Sequence, residues 1–244
     1  MKRKLLYGLL AFLLAGCTAA VKPEETAPTG SQGCDAFEEC GDDTAAESHT
    51  EFKESYESLN GTVNASGKEH RTITIPDNNP FVCSDIDTAI AKMDAGESFY
   101  LYVGDPKCPW CRAIIETACA KAEEYGIKEI LTINIWDEAG NEVLRDKYEL
   151  KDGTPVCVNE GLAGYAELLK RADAFLDEYT VKDEAEQEVS VGEKRIFAPT
   201  YFRIENGAVV RMTTGIPEEL SDPRSELTQA QLQEMASDFD RFFD

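Results

Sequence analysis

Histidine is scarce in this chain, with two in 244 residues, His49 and His70. A structural zinc site needs about four protein ligands, drawn mostly from cysteine and histidine at clustered spacings. One Cys-x-x-Cys and two isolated histidines supply half of such a set, which argues against a metal centre. Basic residues are also few: 24 Lys and Arg stand against 47 Asp and Glu, a formal net charge of −23. A polyanion gains nothing from neutralising phosphates, so the charge excludes nucleic acid as a partner. An anionic membrane surface repels it too. No apolar run approaches the ~20 residues that cross a bilayer as a helix. Hydrophobic residues at 42% and charged residues at 29% are ordinary globular usage, which excludes a collagen-like or wholly disordered chain. The length suits one large domain or two small ones.

Met1-Lys2-Arg3-Lys4 is basic, and residues 5–15 are apolar apart from Gly8 and the Tyr7 hydroxyl. That combination reads as an export signal. Leu14-Ala15-Gly16-Cys17 at its end resembles the lipobox of bacterial lipoproteins. The resemblance implies a signal peptide over 1–17, with Cys17 lipidated, palmitate among its acyl chains, and first in the mature protein. It also implies a lipid anchor in the cell membrane that faces the domain away from the cytoplasm. The alternative is a plain secretory signal with an incidental Cys17. Loss of Lys2, Arg3 and Lys4 on cleavage makes the mature chain still more negative, so acyl chains rather than the protein surface would hold it to the membrane. Residues 18–50 lack hydrophobic periodicity and carry eight acids against Lys22. They read as an acidic, disordered tether, extended by its own repulsion. Cys34 and Cys40 within it are spaced for a small disulfide loop in an oxidising compartment.

From residue 51 the pattern becomes that of a folded domain, 51–244. The spacing predicts a short helix over 52–59 and a strand over 71–75. Ser84 with Asp87 suits a helix cap, ahead of Ile86, Ala89, Ile90 and Met93 at helical spacing. Residues 99–103 form a continuous apolar run, the mark of a strand covered on both faces. A helix over 109–125 and a buried strand over 130–135 follow. Tyr165, Leu168, Leu169, Ala172, Leu176 and Tyr179 mark an amphipathic helix. Asn206-Gly207 joins strands over 200–204 and 208–212 as a hairpin. Thr228 and Gln231 make a capping box before the last helix. The alternation predicts an α/β fold, a mixed sheet flanked by helices, with a helical segment around Leu168.

One motif carries chemistry. Cys108-Pro109-Trp110-Cys111 falls where a buried strand ends and a helix begins, the setting of a redox-active dithiol. Unpaired amides and the helix dipole favour a thiolate at Cys108, and Pro109 suits the first helical turn. Lys107 is expected to add a favourable cation. Cys111, one turn inside, is expected to stay a thiol. Half of a zinc site and a structural disulfide are the other readings of the pair.

With Ala198-Pro199-Thr200 before a strand, residues 71–244 resemble the thioredoxin superfamily. The resemblance implies a thioredoxin-like domain that exchanges disulfides with exported protein thiols or disulfides. Cys108 would be the nucleophile, Cys111 the resolving thiol, and the Cys108–Cys111 pair the redox-active disulfide. Pro199 would be cis, and Trp110, Ala198, Pro199 and Thr200 would hold the partner. No cofactor and no metal are implied, but a membrane redox partner must recycle the dithiol. The family's buried acid, six residues before the nucleophile, is replaced here by Tyr102, and Asp105 beyond the strand break is expected to face solvent. The Pro-Trp pair is nearer in style to glutaredoxins and disulfide oxidants. A fainter likeness links the chain to bacteriocin transport accessory proteins. The resemblance marks about 137–195, before the cis-proline strand, as a helical insert, which reads either as a partner surface or as passive packing. The competing function is a redox-inactive binding or accessory lipoprotein for secretion that keeps only the fold. Oxidation and reduction are both open. Of the other cysteines, Cys83 has no assigned partner, Cys119 suits the core, and Cys157 is a candidate partner for it.

Overall fold

The computed structural model describes residues 44–137 and 139–244. The signal peptide, Cys17, the Cys34–Cys40 loop and residues 18–43 of the tether lie outside the described residues. Helix α1 (Thr44–Glu57) opens the described chain. It begins before residue 50, where the composition put the end of the tether, and it carries His49. The reason is packing: Ser48, Phe52 and Tyr56 fall on one helical face and are buried, with Phe52 stacked on Phe81 at 4.4 Å between ring centroids.

Strand β1 (Phe81–Cys83) is only three residues long. The strand predicted over 71–75 is instead an extended stretch outside any ladder. Ile73 and Ile75 are buried there, while the Ile73 amide is held by Asn60 and the Ile75 amide by Glu57. Side chains thus satisfy the backbone where a neighbouring strand would have done so. Helix α2 (Ile86–Asp94) is capped by Asp85, not Ser84: the Asp85 carboxylate accepts from the Thr88 amide. Strand β2 (Phe99–Gly104), helix α3 (Pro109–Glu124) and strand β3 (Ile130–Asn134) follow.

The insert is mostly β rather than helical. Strands β4 (Lys147–Lys151) and β5 (Thr154–Asn159) form one hairpin, turning at Asp152 and Gly153 with positive φ of 51° and 74°. Helix α4 (Ala163–Ala172) ends well before Tyr179, which lies in β6 (Glu178–Lys182). Strand β6 pairs with β7 (Glu188–Lys194) in a second hairpin. Strands β8 (Thr200–Glu205) and β9 (Ala208–Thr213) turn at Asn206-Gly207, where both residues have positive φ. Helix α5 (Gln229–Phe243) opens with the Thr228–Gln231 capping box.

The five-stranded sheet has the order β1-β3-β2-β8-β9. Strands β1, β3 and β2 are parallel, while β8 and β9 are antiparallel to their neighbours. Alternation along β2 sends Tyr100 and Tyr102 to the layer containing α1, α3 and α5, and Leu101 and Val103 to the layer containing α2 and α4. The strand at the sheet centre therefore has both faces covered, and its C-terminal end delivers the chain into α3.

Candidate functional site

Strand β2 ends at Gly104, and Asp105-Pro106-Lys107 turns the chain into α3. Cys108 is the N-cap of that helix, with extended φ and ψ, and its Sγ accepts the Cys111 amide at 3.4 Å. Pro109 follows in the first turn, where its missing N–H costs nothing. Cys108 and Cys111 are free thiols. The Cys108 thiol also donates to the Ala198 carbonyl at 3.6 Å. The Ala198–Pro199 peptide bond is cis, the form that the resemblance implies. Helix α3 and the start of β8 thus bring Cys108, Cys111, Trp110, Ala198 and Pro199 together. Thr200 is buried, and its hydroxyl donates to the Phe197 carbonyl at 2.6 Å, bracing the loop from inside.

The two thiols differ sharply. Cys108 is held below the ordinary thiol range, first by a hydrogen bond from the Cys111 thiol, then by the Cys111 and Trp110 amides, with burial and Asp105 opposing. Burial pushes Cys111 well above that range, and the neighbouring Cys108 pushes it further. Lys107 is not among the leading influences on Cys108; its charge acts on Asp105 and Asp137. Cys108 is also less open than a cap position suggests, at 5% exposure, because its sulfur is turned against Ala198.

Asp105 does not face solvent. It is 2% exposed, its carboxylate accepts from the Lys107 amide at 2.8 Å and from the Trp136 amide, and burial raises its pKa to about 6. Trp136, beyond the end of β3, packs against both core layers and lies under the Arg145 guanidinium, 6.0 Å from its ring centroid. No sequence signal separates this acid from a solvated one, since its cover comes from a loop about 30 residues downstream.

Arg112, beside Cys111, is fully buried. Its guanidinium donates to the Tyr56 carbonyl at 2.8 Å, the Arg71 carbonyl at 2.6 Å and Asn60 Oδ1 at 2.7 Å. The dithiol helix is thereby tied to α1 and to the extended stretch after it. A second cluster ties the insert to the cis-proline loop. Glu142 accepts from Arg145 at 2.5 Å and from Arg195 at 2.6 Å, while Arg145 also donates to the Ile196 carbonyl. Tyr165 of α4 accepts the Ile196 amide at 3.1 Å. The insert thus buttresses the segment that carries Ala198.

A groove of about 480 Å³ opens beside the dithiol, lined by Trp110, Phe197, Ala198, Thr214, Ile216 and Pro217. Phe197 is 50% exposed there, although its ring is apolar. Phe197, Ile216, Arg112 and Asp105 were not legible as site residues; only Phe197, adjacent to Ala198-Pro199, carried a positional hint. Cys119 is buried in α3, and burial pushes its thiol up to about 12. Cys157 is exposed on β5 and both are free thiols, so the candidate Cys119–Cys157 pairing is overturned. Cys83 is likewise free and buried in β1. Among the described residues no three potential metal-ligating side chains gather, and no helix is long and apolar enough to cross a membrane. No family model matches the chain, and no curated protein matches its sequence.

Proposed function

We propose that the protein is an extracytoplasmic thiol–disulfide oxidoreductase with a thioredoxin-like domain, held at the cell membrane by lipid on Cys17. The observation that carries this reading is the asymmetry of the two thiols at the head of α3. Cys108 sits at the helix cap and accepts the Cys111 amide, a position that favours its thiolate, while Cys111 lies one turn inside and fully buried, where burial favours the thiol. A structural disulfide or half of a zinc site has no use for that difference, whereas a nucleophile and a resolving thiol require it. The Cys108 thiolate attacks one sulfur of a partner disulfide, and the other partner sulfur leaves as a thiolate. Cys111 then attacks the Cys108 sulfur, closes the Cys108–Cys111 disulfide and releases the second partner sulfur. The reverse sequence oxidises a partner dithiol.

Trp110, Ala198 and Pro199 flank the nucleophile, and the groove, apolar at Trp110, Phe197 and Ile216 and polar at Thr214 and Glu218, suits an extended segment of an exported protein. The Ala198 carbonyl, now taken by the Cys108 thiol, is the natural acceptor for a partner amide. A membrane redox partner would recycle the dithiol. The test is reduction of insulin by the protein with dithiothreitol as the terminal reductant, with Cys108→Ser as control. Turnover that vanishes in the control supports the reading. Equal turnover in both proteins would return the chain to the alternative of a redox-inactive binding lipoprotein.

A further inference from the structure

Tyr102 lies directly beneath the dithiol and is fully buried. Its ring folds forward along β2 toward the strand end, over Gly104. A Cβ on Gly104 would lie 2.1 Å from both Cζ and the hydroxyl oxygen of Tyr102, so only glycine leaves room for that orientation. The direction matters because α3 and Cys111 start at this end of the strand. The Tyr102 hydroxyl shares the buried layer with the Cys111 sulfur and lowers its pKa, and it pairs with the Tyr56 hydroxyl at 2.8 Å. Tyr56 comes from α1, outside the part of the chain that the family resemblance covers. Arg112, next to Cys111, holds α1 in place through the Tyr56 carbonyl. Tyr56, Tyr102 and Cys111 are 1%, 0% and 0% exposed, so no solvent reaches the sulfur from below.

Resting on the function proposed above, we propose that the Tyr56–Tyr102 hydroxyl pair stabilises Cys111 as a thiolate during resolution. Tyr102 is the catalytic residue that touches the reacting sulfur, and Tyr56 is a positioning residue acting through it. In the mixed disulfide, the Cys111 sulfur attacks the Cys108 sulfur. The Cys111–Cys108 bond forms as the Cys108–partner bond breaks. The electron pair leaves on the partner sulfur, and the proton lost from Cys111 passes to that sulfur or to solvent. Negative charge on Cys111 is greatest just before attack. A phenol that donates to it there, itself polarised by a second phenol, favours that state. Burial raises the Cys111 thiol and Tyr102 pulls it back, which agrees in direction. The titratable groups that face Cys111 are Cys108 on its own helix, Tyr102 on β2, Tyr56 on α1 and Tyr201 on β8, and the Asp105 backbone amide also favours its thiolate.

The test is stopped-flow reaction of the reduced full chain, in detergent, with dithiobis-nitrobenzoate, in a Cys34→Ser, Cys40→Ser, Cys157→Ser background that removes the two tether cysteines and the exposed thiol of β5. The first nitrothiobenzoate leaves when Cys108 attacks, and the second when Cys111 resolves. Tyr102→Phe keeps the ring and loses only the hydroxyl. It is expected to slow the second phase about tenfold, the scale of one charge-assisted hydrogen bond, and to leave the first within about twofold. The pH profile of the second phase should move to higher pH. Tyr56→Phe, which leaves the group touching sulfur in place, should slow the second phase about threefold. The double variant should be no slower than Tyr102→Phe alone, because Tyr56 acts through Tyr102. A second phase unchanged by either substitution, or both phases slowed equally, overturns the hydroxyl pair. Intact phases with no reduction of insulin overturn the proposed function and leave this assignment standing. A parent protein without a second phase overturns both.

Discussion

The two faces of the central sheet are built from different materials. The face covered by α2 and α4 is mostly aliphatic: Ile86, Leu101, Val103, Ile133, Leu168 and Ile204 meet there around Phe202, and its one buried phenol, Tyr165, is spent on the Ile196 amide. The face covered by α1, α3 and α5 holds Tyr56, Tyr102, Tyr201, Cys108, Cys111 and Cys119 among its buried side chains, with the Arg112 guanidinium beside them. One face supplies burial with a single buried phenol, itself hydrogen-bonded. The other buries polar groups at a cost, and the polar groups surround the dithiol. The comparison teaches where substitutions should change chemistry and where they should change only stability.

The largest effect is expected at Arg112. Arg112→Leu strips the donors from the Tyr56 and Arg71 carbonyls, and should cost about 3–5 kcal/mol in urea unfolding while releasing α1. A loss under about 1 kcal/mol would mean that α1 is held by its apolar contacts alone. Next comes Leu168→Ala on the aliphatic face, where the side chain is fully buried. It should cost about 3 kcal/mol, yet leave the pH profile of Cys108 alkylation where it was. A shifted profile would break the division between the faces.

The framework around the dithiol was legible in the sequence, but the contrast between the two faces was not. The continuous apolar run of β2, the dithiol at the head of α3, the Asn206-Gly207 hairpin and the Thr228–Gln231 box all rest on local signals, and local signals survive folding. Strand β1 was missed because three residues carry no period, and the alternation over 71–75 marked burial without a ladder. The insert hairpins were missed because their strands are half-exposed and charged, as in Lys147-Tyr148-Glu149-Leu150-Lys151. Asp152-Gly153 was the turn signal that marks the first of them. Asp105 and Arg112 depend on cover from segments distant in the chain, and charged residues carry no local mark of burial.

Asp105 sharpens the comparison through pH. Its folded pKa of about 6 lies above the unfolded value of 3.8. The native state therefore holds the extra proton in that window, and stability falls as pH rises through it. Asp105→Asn removes that loss. Relative to the parent it should gain about 2–3 kcal/mol between about pH 3.5 and about pH 7.5. It should also move Cys108 alkylation to lower pH, because Asp105 opposes the thiolate. An equal stability difference at both pH values would place a solvated carboxylate at residue 105. The smallest effect is expected at Tyr201, whose buried hydroxyl has no hydrogen-bond partner. Tyr201→Phe should be neutral or stabilise by about 1 kcal/mol, in contrast to its neighbour Tyr102.

The central claim is that the thiols at the head of α3 are unequal, with Cys108 the nucleophile. Its most direct test is iodoacetamide labelling of the fully reduced, unsubstituted chain against pH, with the labelled cysteine located by peptide mass. The native pair must be kept, because the hydrogen bond from Cys111 is the largest influence holding Cys108 low. The account predicts that Cys108 labels first, with a midpoint below the ordinary thiol value of 9.0, while Cys111 stays unlabelled through that range. Labelling of Cys111 first, or of Cys108 only above that value, would contradict it.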